Sequence, residues 1–117
     1  MSDQEPVLDH ETLMDQVGGD PELLLRLIEL FDADRTETID AIQAGLAARD
    51  AKTVERAAHR LKGSLGTLAA TAAHHAAMNL ELVGRAGDLV QAESAWKTLE
   101  HELIRLKPEL ERIAAEG

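Results

Sequence analysis

Seven apolar residues in the last third of the chain recur at alternating steps of four and three: Ala92, Trp96, Leu99, Leu103, Leu106, Leu110 and Ile113. A strand would put every second residue on one face, so this spacing predicts a helix with one narrow apolar seam. Such a seam is stable only when laid against other helices, as in a bundle. Pro108 falls inside the run. It lacks the amide that would bond the Ile104 carbonyl, and the apolar spacing continues past it, so a kink near Lys107 is expected.

The rest of the chain repeats the same period. Asp9 can cap a short helix carrying Leu13, Met14 and Val17, ended by Gly18-Gly19. Asp20, with Pro21 at the first helical position and Glu22 in the first turn, opens a second helix. Its stripe is Leu24, Leu27, Ile28, Phe31, Ile39, Ile42 and Leu46, and it runs to about Arg49. The polar stretch from Asp32 to Thr38 has room for a bend. Asp50 can cap a third helix, with Val54, Ala57, Ala58, Leu61, Leu65 and Leu68 on its core face. A break at Ala69-Ala70-Thr71 follows, with Thr71 as the expected cap of a fourth helix carrying Ala73, Ala76, Ala77, Leu80 and Val83. Gly87 suits its C-terminal cap, Gly84 is either a close-packing position or part of a frayed end, and Asp88 can cap the last helix. The expectation is therefore an all-α, antiparallel up-down-up-down four-helix bundle with a short extra N-terminal helix. It spans residues 9–114, with polar tails at 1–8 and 115–117.

Composition narrows the function classes. The 117 residues carry a net charge of −10, which disfavours nucleic acid and anionic membranes as main partners. There is no cysteine, hence no disulfide, thiol nucleophile or thiolate metal site. No apolar run approaches the roughly 18 residues of a membrane-crossing helix, and the N-terminus is unlike a secretory signal. A cytoplasmic monomer is expected. No Gly-rich phosphate loop follows a strand, so ATP binding is unsupported.

The third helix holds the feature that folding alone does not explain. Ala57-Ala58-His59-Arg60-Leu61-Lys62-Gly63-Ser64-Leu65-Gly66 contains two glycines in a helix interior. Each costs roughly 1 kcal/mol relative to alanine. With Val54 at zero on a wheel of about 100° per residue, His59 lies about 140° away, Gly63 about 180°, Gly66 about 120° and Lys62 about 80°. These four form one outward patch, because residues three and four apart are neighbours on a helix. An exposed histidine is usually an ordinary surface residue. Here it stands beside a strip without side chains, which suits the close approach of another protein's loop. Neutral imidazole is a nucleophile near neutral pH and can take a phosphoryl group on a ring nitrogen. Lys62, one turn on, can steady the added negative charge, and Arg56 and Arg60 add local positive charge. Glu55, four residues before His59, acts in the opposite sense.

At these residues the chain resembles the histidine-containing phosphotransfer (HPt) domain of phosphorelays. His59-Arg60-Leu61-Lys62-Gly63-Ser64 is similar to the family's His-x-Leu-Lys-Gly-Ser. The likeness extends through Gly19-Asp20-Pro21-Glu22-Leu23-Leu24, Phe31, the 48–50 segment, Asn79-Leu80-Glu81-Leu82 and Gly84-Arg85-Ala86-Gly87-Asp88. Leu65, Thr67 and Ala69 depart from it. The resemblance implies that His59 is the phosphoacceptor. It would receive phosphate from the aspartyl phosphate of a response-regulator receiver domain or a hybrid histidine kinase, and pass it to another receiver. Lys62 would support the phosphate. Arg56 and Gly63 would lie at the docking face, and Gly66 and Ser64 near that face or in its helix packing. No kinase site, cofactor or metal of its own is implied, since magnesium belongs to the receiver.

Two other functions compete. The chain could be the phosphotransfer domain of a chemotaxis-type kinase, phosphorylated by an ATP-binding domain, or an adaptor bundle with an idle His59. The short length and the absence of flanking domains favour a stand-alone carrier. His74 and His75, with Glu81 or Glu55, suggest a metal site only weakly, because the paired Glu-x-x-His motifs of di-iron bundles are absent. Those two, like His10 and His101, read as surface histidines. The carboxylates of the last helix read as a solvated face.

Overall fold

The computed structural model describes residues 6–116, all in helices and short connections. Five helices follow in order: α1 His10–Gln16, α2 Pro21–Ala47, α3 Ala51–Thr67, α4 Thr71–Arg85 and α5 Leu89–Glu116. The links at 48–50, 68–70 and 86–88 are too short to do anything but reverse the chain. Successive long helices therefore pack side by side, and α2 closes the ring against α5. This is the expected four-helix bundle, with α1 as the extra N-terminal helix.

The caps follow the sequence logic. Asp9 accepts the Thr12 amide at 3.1 Å, Asp20 the Glu22 amide at 3.0 Å and Asp50 the Thr53 amide at 3.2 Å. Asp88 does the same for Gln91 at 3.1 Å. Each satisfies an amide that a helix start leaves without an internal partner. The seam residues Leu99, Leu103, Leu106, Leu110 and Ile113 are all buried, as are Phe31 and Trp96.

Three expectations are corrected. Thr71 is the first residue of α4 rather than its cap: Ala70 holds the cap position without a side-chain bond. α5 continues past Pro108, and α2 is a single helix through its polar middle, both as expected. Residues 115 and 116 belong to α5, so the helix outruns the expected tail boundary. Residues 6–8 are docked rather than a free tail. The Ala72 amide donates to the Pro6 carbonyl at 3.2 Å, the Asp9 amide to the Ala69 carbonyl at 2.9 Å, and Leu8 joins the core. Residues 1–5 and 117 of the expected tails lie outside the described residues.

What positions the site is the crossing of α3 and α4, the most extensive helix pairing in the bundle. Gly84 sits at this crossing. A Cβ there would stand 3.0 Å from the Glu55 amide nitrogen, 3.2 Å from the Glu55 Cα and 3.3 Å from the Ala51 carbonyl oxygen. Those are backbone atoms and cannot rotate aside. Gly84 is thus a close-packing position that lets α4 lie against α3. Replacing it should force the helices apart, with an overpacking cost of about 1–3 kcal/mol. Gly84→Ala is therefore expected to lower the urea unfolding midpoint, and an unchanged midpoint would show that the crossing is not this tight.

Candidate functional site

His59 projects from α3 with two-thirds of its side chain exposed (66%). Its outward direction agrees with the helical wheel. Its ring is not free, however. Nδ1 lies 2.7 Å from Oε2 of Glu81 on α4. The same carboxylate takes Lys62 Nζ on its other oxygen, Oε1, at 2.7 Å. Arg85 Nη2 reaches Oε2 at 3.2 Å, while its Nε donates to Glu55 Oε2 at 2.9 Å. One carboxylate thus gathers the histidine and two cations, and Arg85 ties α4 back to α3 through Glu55.

Glu81 is only 4% exposed. Burial alone would favour its neutral form. The hydrogen bond from Lys62 outweighs burial, His59 adds to it, and the carboxyl is held below its ordinary value. The group is therefore an ionised acceptor at neutral pH.

The glycines of the motif divide into two kinds. Gly63 is exposed and a Cβ there would meet nothing within 4 Å, so the helix surface beside His59 is bare. Gly66 is different. A Cβ there would come within 3.3 Å of His74 Nδ1. His74 itself donates from Nδ1 to the Lys62 carbonyl oxygen at 3.0 Å. The expected bare strip therefore stops short of Gly66, which is a packing position under the His74 ring. His74 is half-buried and braces α4 on α3, rather than being a surface residue. His75 is exposed, its ring 5.6 Å from that of His74. Among the described residues no group of three or more potential ligands is placed to hold a metal ion.

The expected docking residues fall on two flanks of His59. Arg56 shares a groove of about 470 Å³ with Lys52, Glu55, His59, Glu81 and Arg85, on the α4 side. Ser64 lies on the opposite flank, lining an apolar groove with Leu27, Leu30, Phe31, Asp34, Thr67 and Leu68 between α2 and α3. Its hydroxyl donates weakly to the Arg60 carbonyl oxygen at 3.4 Å. Arg60 is drawn towards α2 by an ion pair with Asp34.

A family model for the Hpt domain matches residues 26–115. The chain belongs to the Hpt-domain family. The Hpt fold also matches the crystal structure of histidine-containing phosphotransfer protein B (HptB) from Pseudomonas aeruginosa PAO1. The TM-score is 0.89, with 23% identity over 97% of this chain and 99% of that one. Comparison with curated proteins gave no match.

Within this Hpt domain, Glu81 and Arg85 are neighbours of His59 that the motif did not reveal. A signal for Glu81 was present. On α4 it falls four residues after Ala77 and next to Leu80, close to the buried stripe. A carboxylate so placed needs a cationic partner from a facing helix.

Because the folded carboxyl titrates below its ordinary value of 4.5, the unfolded chain binds the extra proton first as pH falls. Glu81 should therefore contribute stability that is fully present at neutral pH and lost progressively below about pH 4.5. Urea unfolding between pH 7 and pH 3 is expected to show a shallower acid-side loss for Glu81→Gln than for the wild type. Parallel pH profiles would contradict the pairing.

Proposed function

We propose that His59 is the phosphoacceptor through which this domain serves as a phosphocarrier in phosphorelay signalling. The observation that carries this reading is an anchored but exposed imidazole beside the bare backbone of Gly63, in a chain of the Hpt-domain family. A ring nitrogen attacks the phosphorus of a receiver's aspartyl phosphate. The bond from phosphorus to the carboxylate oxygen breaks, and the carboxylate leaves with the electron pair. The reverse step on a second receiver passes the group onward. Receiver domains, alone or within a hybrid histidine kinase, are the partners that this chemistry requires.

Lys62 has three N–H donors and uses one on Glu81. The others can reach a phosphoryl group added one turn away, so the ammonium serves both the unmodified and the modified histidine. Gly63 clears the approach of the receiver's loops, and Arg56 contributes to the cationic rim on the α4 side. Ser64 lines the apolar groove on the other flank, a surface against which the receiver can rest. Gly66 acts from beneath, by letting His74 pack. The domain acts as a carrier without a kinase site of its own, as a monomer in the cytoplasm. No helix among the described residues is long and apolar enough to cross a membrane.

Incubation with a phosphorylated receiver should give acid-labile, base-stable phosphate on the wild type and none on His59→Gln. Label retained by His59→Gln would move the site elsewhere. Gly63→Leu should keep its helix content by circular dichroism and lose transfer, and normal transfer would show that the bare surface is not used. Label obtained only with a kinase domain and ATP would assign the phosphodonor differently.

A further inference from the structure

Most cations around His59 are already matched. Lys62 and Arg85 face two carboxylates, Glu81 and Glu55. Arg60, next to His59 in sequence, is paired with Asp34 on α2. A phosphoryl group on the exposed edge of the ring brings about two negative charges at neutral pH. Arg56 can meet them without giving up a partner. It is exposed, it lines the same groove as His59, and it makes no hydrogen bond or ion pair among the described residues. We propose that Arg56 is a phosphoryl-binding residue that closes on the phosphorylated His59 from the side opposite Lys62. This rests on the phosphocarrier reading of His59 and adds a second cation at the phosphate, distinct from any contact that Arg56 makes with a receiver.

The helix sets the geometry. Arg56 stands one turn before His59 and about 60° to one side of it, and Lys62 one turn after and about 60° to the other. Residues three apart are roughly 5–6 Å from each other at Cβ, a span that an arginine side chain bridges easily. A guanidinium presents parallel N–H donors that match two phosphoryl oxygens, and Arg56 has all of its donors free. Lys52 is also unpaired, but it lies two turns from His59, about 10 Å along the helix axis. Two unmatched cations four residues apart repel slightly, a cost that an incoming anion relieves.

The phosphate equilibrium between receiver and carrier separates this role from docking. A residue that only steadies the encounter changes the forward and reverse transfer rates alike and leaves their ratio fixed. A residue that holds the phosphoryl group on His59 shifts the ratio towards the carrier. Arg56→Gln should move the equilibrium about three- to tenfold towards the phosphorylated receiver, the effect of a charge-assisted contact weakened by solvent. Arg35→Gln, the same charge loss in the groove between α2 and α5, should leave it unchanged. A second readout needs no receiver. His59 is phosphorylated chemically with phosphoramidate, and the ³¹P resonance that is absent from His59→Gln is followed as pH is varied. A nearby cation favours the more highly charged form, so Arg56→Gln should raise the midpoint of the second phosphoryl ionisation by about 0.5–1 pH unit, the same factor. Arg56→Lys should recover part of both effects. An unchanged equilibrium with equal falls in the forward and reverse rates would leave Arg56 a docking residue and overturn the proposal, as would an unchanged ³¹P midpoint. A wild type labelled by phosphoramidate but by no receiver would overturn the carrier reading alone, with the midpoint still deciding the role of Arg56. No label at His59 by either route would overturn both.

Discussion

A single buried carboxylate organises this site. Glu81 stands on α4, inside the α3–α4 crossing, and its charge is matched by Lys62, His59 and Arg85. Removing such a charge from water is costly, and an unmatched carboxylate there would be strongly destabilising. The arrangement is stable because both oxygens are occupied and the helices approach closely. Gly84, one turn on from Glu81, permits that approach, and His74, two turns before, closes the other end of the contact over Gly66. The anchoring of His59 is therefore a property of helix packing, transmitted through one side chain.

The same arrangement would reconcile two demands on His59 as the proposed phosphoacceptor. A phosphoacceptor must be exposed enough for another protein to reach it, yet a free surface imidazole samples several rotamers. Anchoring one nitrogen to a buried group restricts the ring while leaving its outer edge accessible. The surroundings are cationic in an otherwise acidic molecule, with Lys52, Arg56 and Arg85 around the α4-side groove. A dianionic group arriving there meets positive charge locally, although the whole chain repels anions at longer range.

Most of the fold was legible in the sequence. The alternating four-and-three spacing of α5, the aspartates before α1, α2, α3 and α5, and Gly87 after α4 each depend on neighbours within a few residues. The wheel also placed His59, Lys62 and Gly63 correctly, because direction on a helix is a local property. What escaped was tertiary. Gly66 and Gly63 look alike on a wheel, yet one meets a ring from α4 and the other meets nothing. Glu81 lies 22 residues from His59, and only the crossing geometry brings them together. α5 continues past Pro108, as the apolar seam on either side of it indicated. Pro6-Val7-Leu8 group with the polar residues before them in the expected tail, but they are apolar: Leu8 joins the core and the Pro6 carbonyl accepts the Ala72 amide.

The site depends on Glu81 being ionised within the bundle because Lys62 offsets its burial. The most direct measurement follows the Glu81 side-chain carboxyl by ¹³C NMR in the folded protein as pH is lowered. The carboxylate signal should persist as pH falls through 4.5 and titrate only below it. A midpoint above 4.5 would mean that burial wins, that the group is protonated before an ordinary glutamate, and that it does not hold His59 as described.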